Sequence, residues 1–345
     1  MNNLEEKTIL ITGGTGSIGE ALILEILRKN NPKRIRIFSR DETKQFYLSK
    51  KLAKYEEKVR FLIGDIRDKE RLQRAMKDVD IVFHLAALKH VTACEYNPFE
   101  AIKSNIIGLQ NLIEISIDNE IEKFIFTSSD KAATPSNTMG VTKLLGEKLV
   151  TTGNYYKGSS NTIFYSVRFG NVLGSRGSLI PLIEEQIRNR LPITLTHFDM
   201  TRYIMTINKA IDLSLKTLGI AQGGEVFVLK MNSVKIIDLI KVLIEYFSEK
   251  CNVIDDKIEI KEIGIFAGEK LYEELFSIEE SDRTYEMDDM YIILPQMTEI
   301  SKKIDLSKYQ NIIKFDKNKP FNSNDCIHLS KKEIKEFLYK NQIIL

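Results

Sequence analysis

The run Thr8-Ile-Leu-Ile-Thr12, followed directly by Gly13-Gly-Thr-Gly16-Ser-Ile-Gly19 and by Glu20-Ala-Leu-Ile-Leu-Glu-Ile-Leu-Arg28, decides the fold. Thr8–Thr12 is a short β-branched apolar segment, the composition of a central parallel strand. From Glu20 onward the apolar residues recur at helical spacing. Between the two, glycines at 13, 16 and 19 allow a tight turn that brings backbone N–H groups onto a pyrophosphate, and the helix N-terminus adds partial positive charge. A glycine triplet alone says little, but between a strand and a helix it marks a dinucleotide-binding βαβ unit. Gly13, Thr15, Gly16, Ser17, Ile18 and Gly19 are the first candidate cofactor contacts.

The alternation continues outward from this unit. Arg34–Phe38 is a second strand, followed by Ser39-Arg-Asp-Glu-Thr-Lys44. An NAD site usually places an acid at this strand end, on the ribose 2′-hydroxyl. Here Ser39 and Arg40 stand there, with Asp41 and Lys44 close behind. A hydroxyl and a guanidinium suit a 2′-phosphate, so NADP is expected in preference to NAD. A third strand, Val59–Ile63, ends in Gly64-Asp65-Ile66-Arg67, with Asp65 placed to cap the adenine amino group and Ile66 beside it. A fourth, Asp80–His84, leads into Leu85-Ala-Ala-Leu-Lys89-His90. Ala86 and Ala87 are small enough for a cofactor to lie close, and Lys89 faces the nicotinamide side. Asn97-Pro98 opens a long helix carrying Asn105, a further cofactor candidate. His84 and His90 read as structural.

A helix over 108–118, a strand over 124–127, a helix from Met139 and a strand over 162–168 complete the pattern of an α/β fold, a Rossmann-like doubly wound parallel sheet. After Phe169 the pattern changes. A helix is expected over about 181–190, a strand over 191–196, a helix over 205–218, and a strand over 225–229 that rejoins the first domain. The expected organisation is a Rossmann domain of residues 1–170 plus about 204–230. A smaller mixed α/β substrate domain takes 171–203 and 231–295, and a surface-hugging C-terminal appendage takes 296–345.

Composition removes several classes. The chain has 345 residues, with 50 Lys and Arg against 48 Asp and Glu, for a net charge of +2. No global charge footprint points to nucleic acid. Three cysteines (Cys94, Cys251, Cys326) lie far apart, and the four histidines show no metal-ligand spacing, so no disulfide framework or metal site is expected. The apolar run from Ile236 to Phe247 is broken by Asp238, Lys241 and Glu245, and no segment reaches the ~20 apolar residues of a membrane span. No room is left for a signal peptide before Thr8, and a cytoplasmic location is expected.

The chemistry gathers at Thr127-Ser-Ser-Asp-Lys-Ala, at the carboxyl end of the Lys123-Phe-Ile-Phe strand. Open α/β sheets bind ligands at that end. Ser129, Asp130 and Lys131 emerge there together, and Lys143 follows four residues after Met139 on the next helix. An adjacent acid and amine suit an elimination, which needs a general acid beside a general base.

These residues carry a resemblance. The glycine loop with Lys143 on the following helix resembles the extended short-chain dehydrogenase/reductase superfamily. Lys89-His-Val, Asn97-Pro-Phe-Glu-Ala, Ser129-Asp-Lys-Ala, Met139-Gly-Val-Thr-Lys143, Gly174-Ser-Arg-Gly-Ser, Asp199-Met-Thr-Arg-Tyr and Gly268-Glu-Lys-Leu-Tyr-Glu-Glu-Leu resemble, in order, the UDP-N-acetylglucosamine 4,6-dehydratases of surface-glycan synthesis. The length is similar to the short soluble branch, whose members invert carbon 5. Two departures stand out. Met139 replaces the superfamily's usual tyrosine, as in a subset of these dehydratases, and Phe266 stands where the family usually has an arginine.

The resemblance implies a bound NADP, a UDP-N-acetylglucosamine substrate and a homo-oligomer. In the implied reaction a hydride leaves sugar carbon 4, carbon 5 loses a proton as the 6-hydroxyl departs as water, and the hydride returns to carbon 6. Asp130 is then the acid for the leaving hydroxyl and Lys131 the base at carbon 5, with a pKa expected to be lowered by desolvation and by Lys143 and Lys89. Met139 accepts no proton, so Asp130 relayed through Ser129, or else Lys131, must take the 4-hydroxyl proton. Lys143 is expected on the nicotinamide ribose. For the sugar nucleotide, Arg202 is expected on the diphosphate, Asn171 on phosphate or sugar, and Lys89 and Arg176 in the substrate pocket. Thr194 or Thr196 is expected on uracil and Glu269 on ribose or base. Two other functions fit parts of the pattern: a UDP-N-acetylhexosamine 4-epimerase, and a catalytically silent NADP-binding sensor or scaffold.

Overall fold

The computed structural model describes residues 4–251 and 258–344. Strands β1 (Thr8–Thr12), β2 (Arg34–Ser39), β3 (Val59–Ile63), β4 (Ile81–His84), β5 (Lys123–Ser129) and β6 (Ile163–Phe169) are mutually parallel, in the order β3-β2-β1-β4-β5-β6. Between them run α1 (Ser17–Lys29), α2 (Glu42–Lys51), α3 (Lys69–Met76), α4 (Val91–Tyr96), α5 (Pro98–Ile102), α6 (Gly108–Asp118) and α7 (Thr138–Tyr156). The strand order reverses between β1 and β4, which opens a crevice at their carboxyl ends where such sheets bind ligands.

Every residue of β1 is buried because both faces of the sheet are covered. Side chains alternate across a strand. Ile9 and Ile11 therefore join one core with Ile23 and Ile26 of α1, while Leu10 joins the other with Leu72 of α3 and Leu112 of α6. This is why the segment reads as continuously apolar.

The second half supplies β7 (Asn171–Val172), α8 (Leu179–Arg188), β8 (Ile193–Leu195), β9 (Thr201–Met205), α9 (Ile207–Ile220), β10 (Val226–Leu229), β11 (Asn232–Lys235), α10 (Ile236–Cys251) and β12 (Ile260–Glu262). It ends with α11 (Ile278–Ser281), β13 (Thr284–Glu286), β14 (Met290–Ile293), α12 (Thr298–Ser301), β15 (Ile313–Lys314) and α13 (Lys331–Lys340). β10 lies parallel to β6, and β14, β13 and β15 extend the sheet antiparallel to ten strands. A separate sheet, β11-β9-β7, stands beside it.

Three expectations change here. Met205 ends a strand, β9, and the helix starts at Ile207. The long helix from Asn97 is broken into α5 and a π turn at Lys103–Ile107 before α6, and a further short helix, α4, precedes it. The final segment is no appendage. β15 belongs to the main sheet, and Ile334 and Leu338 of α13 are fully buried in a second core with Leu239 and Leu243 of α10 and Ile183 of α8.

A buried ion cluster ties the halves together. Arg168 on β6 is fully buried; its Nη2 lies 2.7 Å from Glu147 Oε2 of α7 and its Nη1 2.8 Å from Glu280 Oε2 of α11. Nη1 also donates to the Leu275 carbonyl. Removing one partner of such a cluster strands a buried charge at a cost of about 3–5 kcal/mol. Arg168→Leu should therefore lower the urea midpoint by an amount equivalent to about 3–5 kcal/mol, followed by circular dichroism.

Candidate active site

The cofactor cradle forms as the glycines require. Gly13 has φ +68°, and a Cβ there would meet the Ala86 nitrogen at 2.7 Å. Only glycine lets the loop close onto the β4 end. Gly16 is the N-cap of α1 and supplies no side-chain cap, so the first N–H groups of the helix stay available to an anion. The residues fit a dinucleotide pyrophosphate. At the β2 end, Ser39 Oγ pairs with Thr15 Oγ1 at 2.9 Å. Arg40 lies 3.5 Å from Asp65, which Arg67 also holds at 2.7 Å. Asp65 is thus engaged by two guanidinium groups in the free protein. Asp41 caps α2 through the Lys44 N–H at 2.9 Å and pairs with the Lys44 ammonium at 2.7 Å, so both serve the helix start. Ile66 is buried against α6 and α3.

Asn105 sits in the π turn, a distortion common at functional sites. Its Oδ1 accepts the Leu88 N–H at 2.8 Å, and its Nδ2 donates to the Leu88 carbonyl and to Thr142 Oγ1, each at 3.0 Å. It therefore pins the loop carrying Ala86, Ala87 and Lys89 to α7. Arg176 is placed differently from the expectation. Its N–H donates to Ser17 Oγ at 3.0 Å, its guanidinium donates to the Thr15 carbonyl, and its own carbonyl accepts Lys89 Nζ at 3.0 Å. The loop after β7 lies across the glycine loop and sets Arg176 against Thr15 and Ser17. Burial and the nearby Arg176 lower the pKa of Lys89.

At the β5 end, Asp130 is buried. Its Oδ1 accepts Ser129 Oγ at 2.9 Å and Lys131 Nζ at 3.1 Å, while its Oδ2 is buried with no partner. Lys131 Nζ also lies 3.1 Å from Glu273 Oε1, a buried carboxylate in the segment after β12. Burial pulls the Lys131 pKa down, but Asp130 and Glu273 together outweigh it, and the net direction is up. This corrects the lowered value expected from Lys143 and Lys89. Lys131 rests as an ammonium.

Lys143 is the lysine that is lowered, to about 8, because burial dominates over the nearby Glu147. Its Nζ donates to the Thr127 carbonyl at 2.8 Å and lies 4.7 Å from the centre of the Phe126 ring. Met139 is buried with Cys94 and Ala101, against Leu88 and Val91. His84 bonds Thr12 Oγ1 at 2.7 Å and is pushed down to about 3 by burial, so it stays neutral and structural.

On the substrate side, β9 brings Arg202 next to this set. Its Nε is 3.9 Å from Glu273 Oε1 and its Nη2 3.7 Å from Glu269 Oε1. The two Nη groups donate to the carbonyls of Thr201, Leu271 and Lys270. Arg202 is therefore a buried, backbone-committed cation, not the exposed bidentate fork expected for a diphosphate. Thr196 Oγ1 meets Glu269 Oε1 at 3.4 Å, whereas the Thr194 hydroxyl is taken by Gln186 of α8 at 2.9 Å. Asn171 is half-buried in β7, in register with Ile204. Phe266 is exposed. The 264–274 segment docks on the start of α7, where Asn137 Nδ2 donates to the Gly268 carbonyl at 2.8 Å. Gly268 has φ +79°, and a Cβ there would meet Asn137 Cβ at 2.6 Å. Two surface hollows, about 420 Å³ beside Pro295 and 280 Å³ beside Arg36, include none of these residues.

Glu273 was the residue missed by sequence reasoning. It lies inside the Gly268–Leu275 run, but nothing in that run says which of Glu269, Glu273 and Glu274 turns inward. Among the described residues no group of three or more His, Cys, Asp or Glu is placed to hold a metal, and no helix is long and apolar enough to cross a membrane.

This fold, with its glycine cradle, defines the class: a Rossmann-like α/β protein that shares its fold with a Streptomyces venezuelae dTDP-glucose 4,6-dehydratase (TM-score 0.66, 17% identical) and a Thermotoga maritima UDP-glucose 4-epimerase (TM-score 0.64, 19% identical). Within it, the chain belongs to the family described as polysaccharide biosynthesis protein, whose profile matches residues 9–295. A Methanocaldococcus jannaschii protein named an uncharacterized membrane protein is 52% identical, with 98% of this chain and 96% of that one covered. A Campylobacter jejuni UDP-N-acetylglucosamine 4,6-dehydratase (inverting) is 42% identical, with 88% and 87% covered. A Rickettsia conorii protein named UDP-glucose 4-epimerase is 41% identical, with 84% and 83% covered. The crystal structure of Pen from Bacillus thuringiensis superposes with a TM-score of 0.90 at 42% identity, covering 99% and 100%.

An arginine bonded to phosphate contributes about 1.5–3 kcal/mol. Arg176→Ala should therefore weaken dinucleotide affinity about 10- to 100-fold, read by calorimetric titration of the stripped protein.

Proposed function

We propose that the chain is a UDP-N-acetylglucosamine 4,6-dehydratase that inverts carbon 5. It would release a UDP-2-acetamido-2,6-dideoxy-hexos-4-ulose for surface glycan synthesis. The observation that carries this reading is the buried acid–amine pair at the β5 end, with Asp130 Oδ2 left without a partner. A buried carboxylate oxygen without a donor is costly, and a substrate hydroxyl supplies one.

NADP is the proposed cofactor, held by the glycine loop, Ser39, Arg40 and Arg176; when bound it accepts the hydride from carbon 4 and returns it to carbon 6. The chain's own groups handle the protons. Met139 accepts none, so the Asp130 carboxylate takes the 4-hydroxyl proton, directly or through Ser129. The same carboxyl then delivers that proton to the departing 6-hydroxyl, while Lys131 takes the proton from carbon 5. Water then delivers a solvent proton to the opposite face of carbon 5. Lys143 would hold the nicotinamide ribose, and its charge there would favour alkoxide character at the 4-oxygen. Glu269 and Thr196 face the nucleoside, and Arg202 contributes charge from beneath the diphosphate. The cytoplasmic location belongs to this reading.

A second reading, a UDP-sugar 4-epimerase, has the Rickettsia name in its favour. Epimerisation shares the oxidation at carbon 4 but has no water to expel, and it leaves the Asp130–Lys131 pair without a task.

Incubation with UDP-N-acetylglucosamine in deuterated water, followed by proton NMR, tests the proposal. A new carbon 6 methyl singlet with ring couplings of the inverted sugar is the expected result, and denaturation should release NADP. Conversion only to the galacto isomer would transfer the assignment to the epimerase, and no change with NADP⁺ supplied would sink the dehydratase. Asp130→Asn and Lys131→Met should each lower kcat by about 10²- to 10⁴-fold.

A homo-oligomer is part of the same proposal. α4, α5, the π turn and α7 pack on one another and leave Tyr96, Phe99, Ile102, Ile107, Val141 and Leu145 exposed. An apolar face of this kind marks an interaction surface. Sedimentation should give at least twice the 39.7 kDa chain mass, and Phe99→Asp should shift the protein toward monomer.

A further inference from the structure

Lys131 is held between two carboxylates. Its Nζ is 3.1 Å from Asp130 Oδ1 on its own strand end and 3.1 Å from Glu273 Oε1 on the segment after β12. Arg202 of β9, 3.9 Å from the same Glu273 oxygen, is the other cation on that carboxylate, with Glu269 behind it at 3.7 Å. The Glu273 backbone is fixed as well. Its N–H donates to Ser323 Oγ at 3.0 Å, and that hydroxyl pairs with Thr201 Oγ1 at 2.8 Å. Glu273 is thus buried and tied through Ser323 to the strand that carries Arg202.

An ammonium cannot take a proton from carbon 5, so Lys131 must first lose one. Asp130 is one acceptor within reach, but the loss of the tyrosine at Met139 removes that option. With no acceptor on α7, Asp130 has to begin as a carboxylate to receive the 4-hydroxyl proton. If it already held the Lys131 proton, the first oxidation would lack a base. The Lys131 proton therefore needs a second home, and Glu273 stands at hydrogen-bond distance.

We propose that Glu273 receives the Lys131 proton for the duration of the elimination, so that Lys131 works as a free amine while Asp130 starts as a carboxylate. This rests on the dehydratase reading above and deepens it. The protons balance. Lys131 passes one proton to Glu273 Oε1, and Asp130 takes the 4-hydroxyl proton as the hydride leaves carbon 4. Lys131 takes the carbon 5 proton as Asp130 gives its own to the departing 6-hydroxyl, which leaves as water. Water then protonates carbon 5 on its opposite face, Lys131 keeps the proton it took, and the one held by Glu273 passes to solvent, which restores the starting ammonium and both carboxylates. Glu273 touches no reacting atom in this scheme and is a positioning residue for the Lys131 proton.

Glu273→Gln keeps the shape and removes the proton acceptor, and Glu273→Asp keeps the acceptor on a shorter arm. In the substrate-free protein labelled with ¹³C-lysine, the Lys131 Cε signal is assigned by its absence in Lys131→Arg. Its titration should move down by about one pH unit or more in Glu273→Gln. With UDP-N-acetylglucosamine, kcat should fall about 10²- to 10³-fold while KM stays within about threefold. Reduced nicotinamide absorbance should build up, because oxidation at carbon 4 precedes the blocked step. Glu273→Asp should recover part of the rate. An unmoved lysine titration, or a wild-type kcat in Glu273→Gln, would overturn the proposal, as would a change confined to KM. A wild-type protein that forms no dehydrated sugar would overturn the dehydratase reading instead. The lysine titration, which uses no substrate, would still decide whether Glu273 is coupled to the Lys131 proton.

Discussion

A guanidinium with no solvent contact, Arg168, is gripped by Glu147 of α7 at 2.7 Å and by Glu280 at the head of α11 at 2.8 Å. Each charge taken from water is expensive, and such a cluster persists only when its partners are fully placed. The placement matters because each partner sits on a segment that carries chemistry. α7 bears Met139 and Lys143, with Lys143 one turn before Glu147. α11 closes the segment that bears Glu269 and Glu273. One buried cation on β6 therefore sets the cofactor-side helix and the substrate-side loop at a fixed spacing. The Gly268 carbonyl bonded to Asn137 repeats the tie at the other end of the same loop.

The cluster also reaches the lysines electrostatically. Glu147 opposes the burial that lowers the Lys143 pKa to about 8. Lys131, comparably deep, moves the other way because two carboxylates face it in place of a carbonyl and an aromatic ring. Desolvation acts on both, and the count of nearby opposite charges decides the sign. Two lysines twelve residues apart thus receive different ionisation behaviour from their surroundings, a pattern that sorts acid–base roles within one site.

The parallel half of the fold was legible because its signals are local. β1 to β6 are short apolar runs buried on both faces, and each is followed by turn or helix signals. The later half was harder to read. β9, β7 and β11 are short and mix polar with apolar residues, so their strand state comes from pairing with one another, not from propensity. α13 reads as a charged helix, and only tertiary packing shows that Ile334 and Leu338 close the second core. The glycine loop, Asp130, Lys131 and Lys143 were legible because motif and position agree. Arg176 and Arg202 were named, but their partners were not, since a guanidinium's reach is a tertiary property. Arg168 carried a readable warning. A charge inside an apolar run expected to be buried on both faces must have buried partners.

The exchange of tyrosine for Met139 gives the carboxylates around Lys131 their significance. The methionine side chain is packed among Cys94, Ala101, Leu88 and Val91, an apolar nest that holds no proton acceptor. In the proposed function, acid–base work that an α7 phenol would share is thereby concentrated at the β5 end. In the proposed dehydration Asp130 serves twice, first as base and next as acid, and it can do so only if it enters the cycle ionised. An ionised Asp130 beside a buried lysine favours the ammonium, which is the wrong form for a base. A single carboxylate cannot resolve that conflict, whereas a second one on the far side of the lysine can, by taking the proton that Asp130 must not hold. Glu273, 3.1 Å from Lys131, is the carboxylate placed to do so.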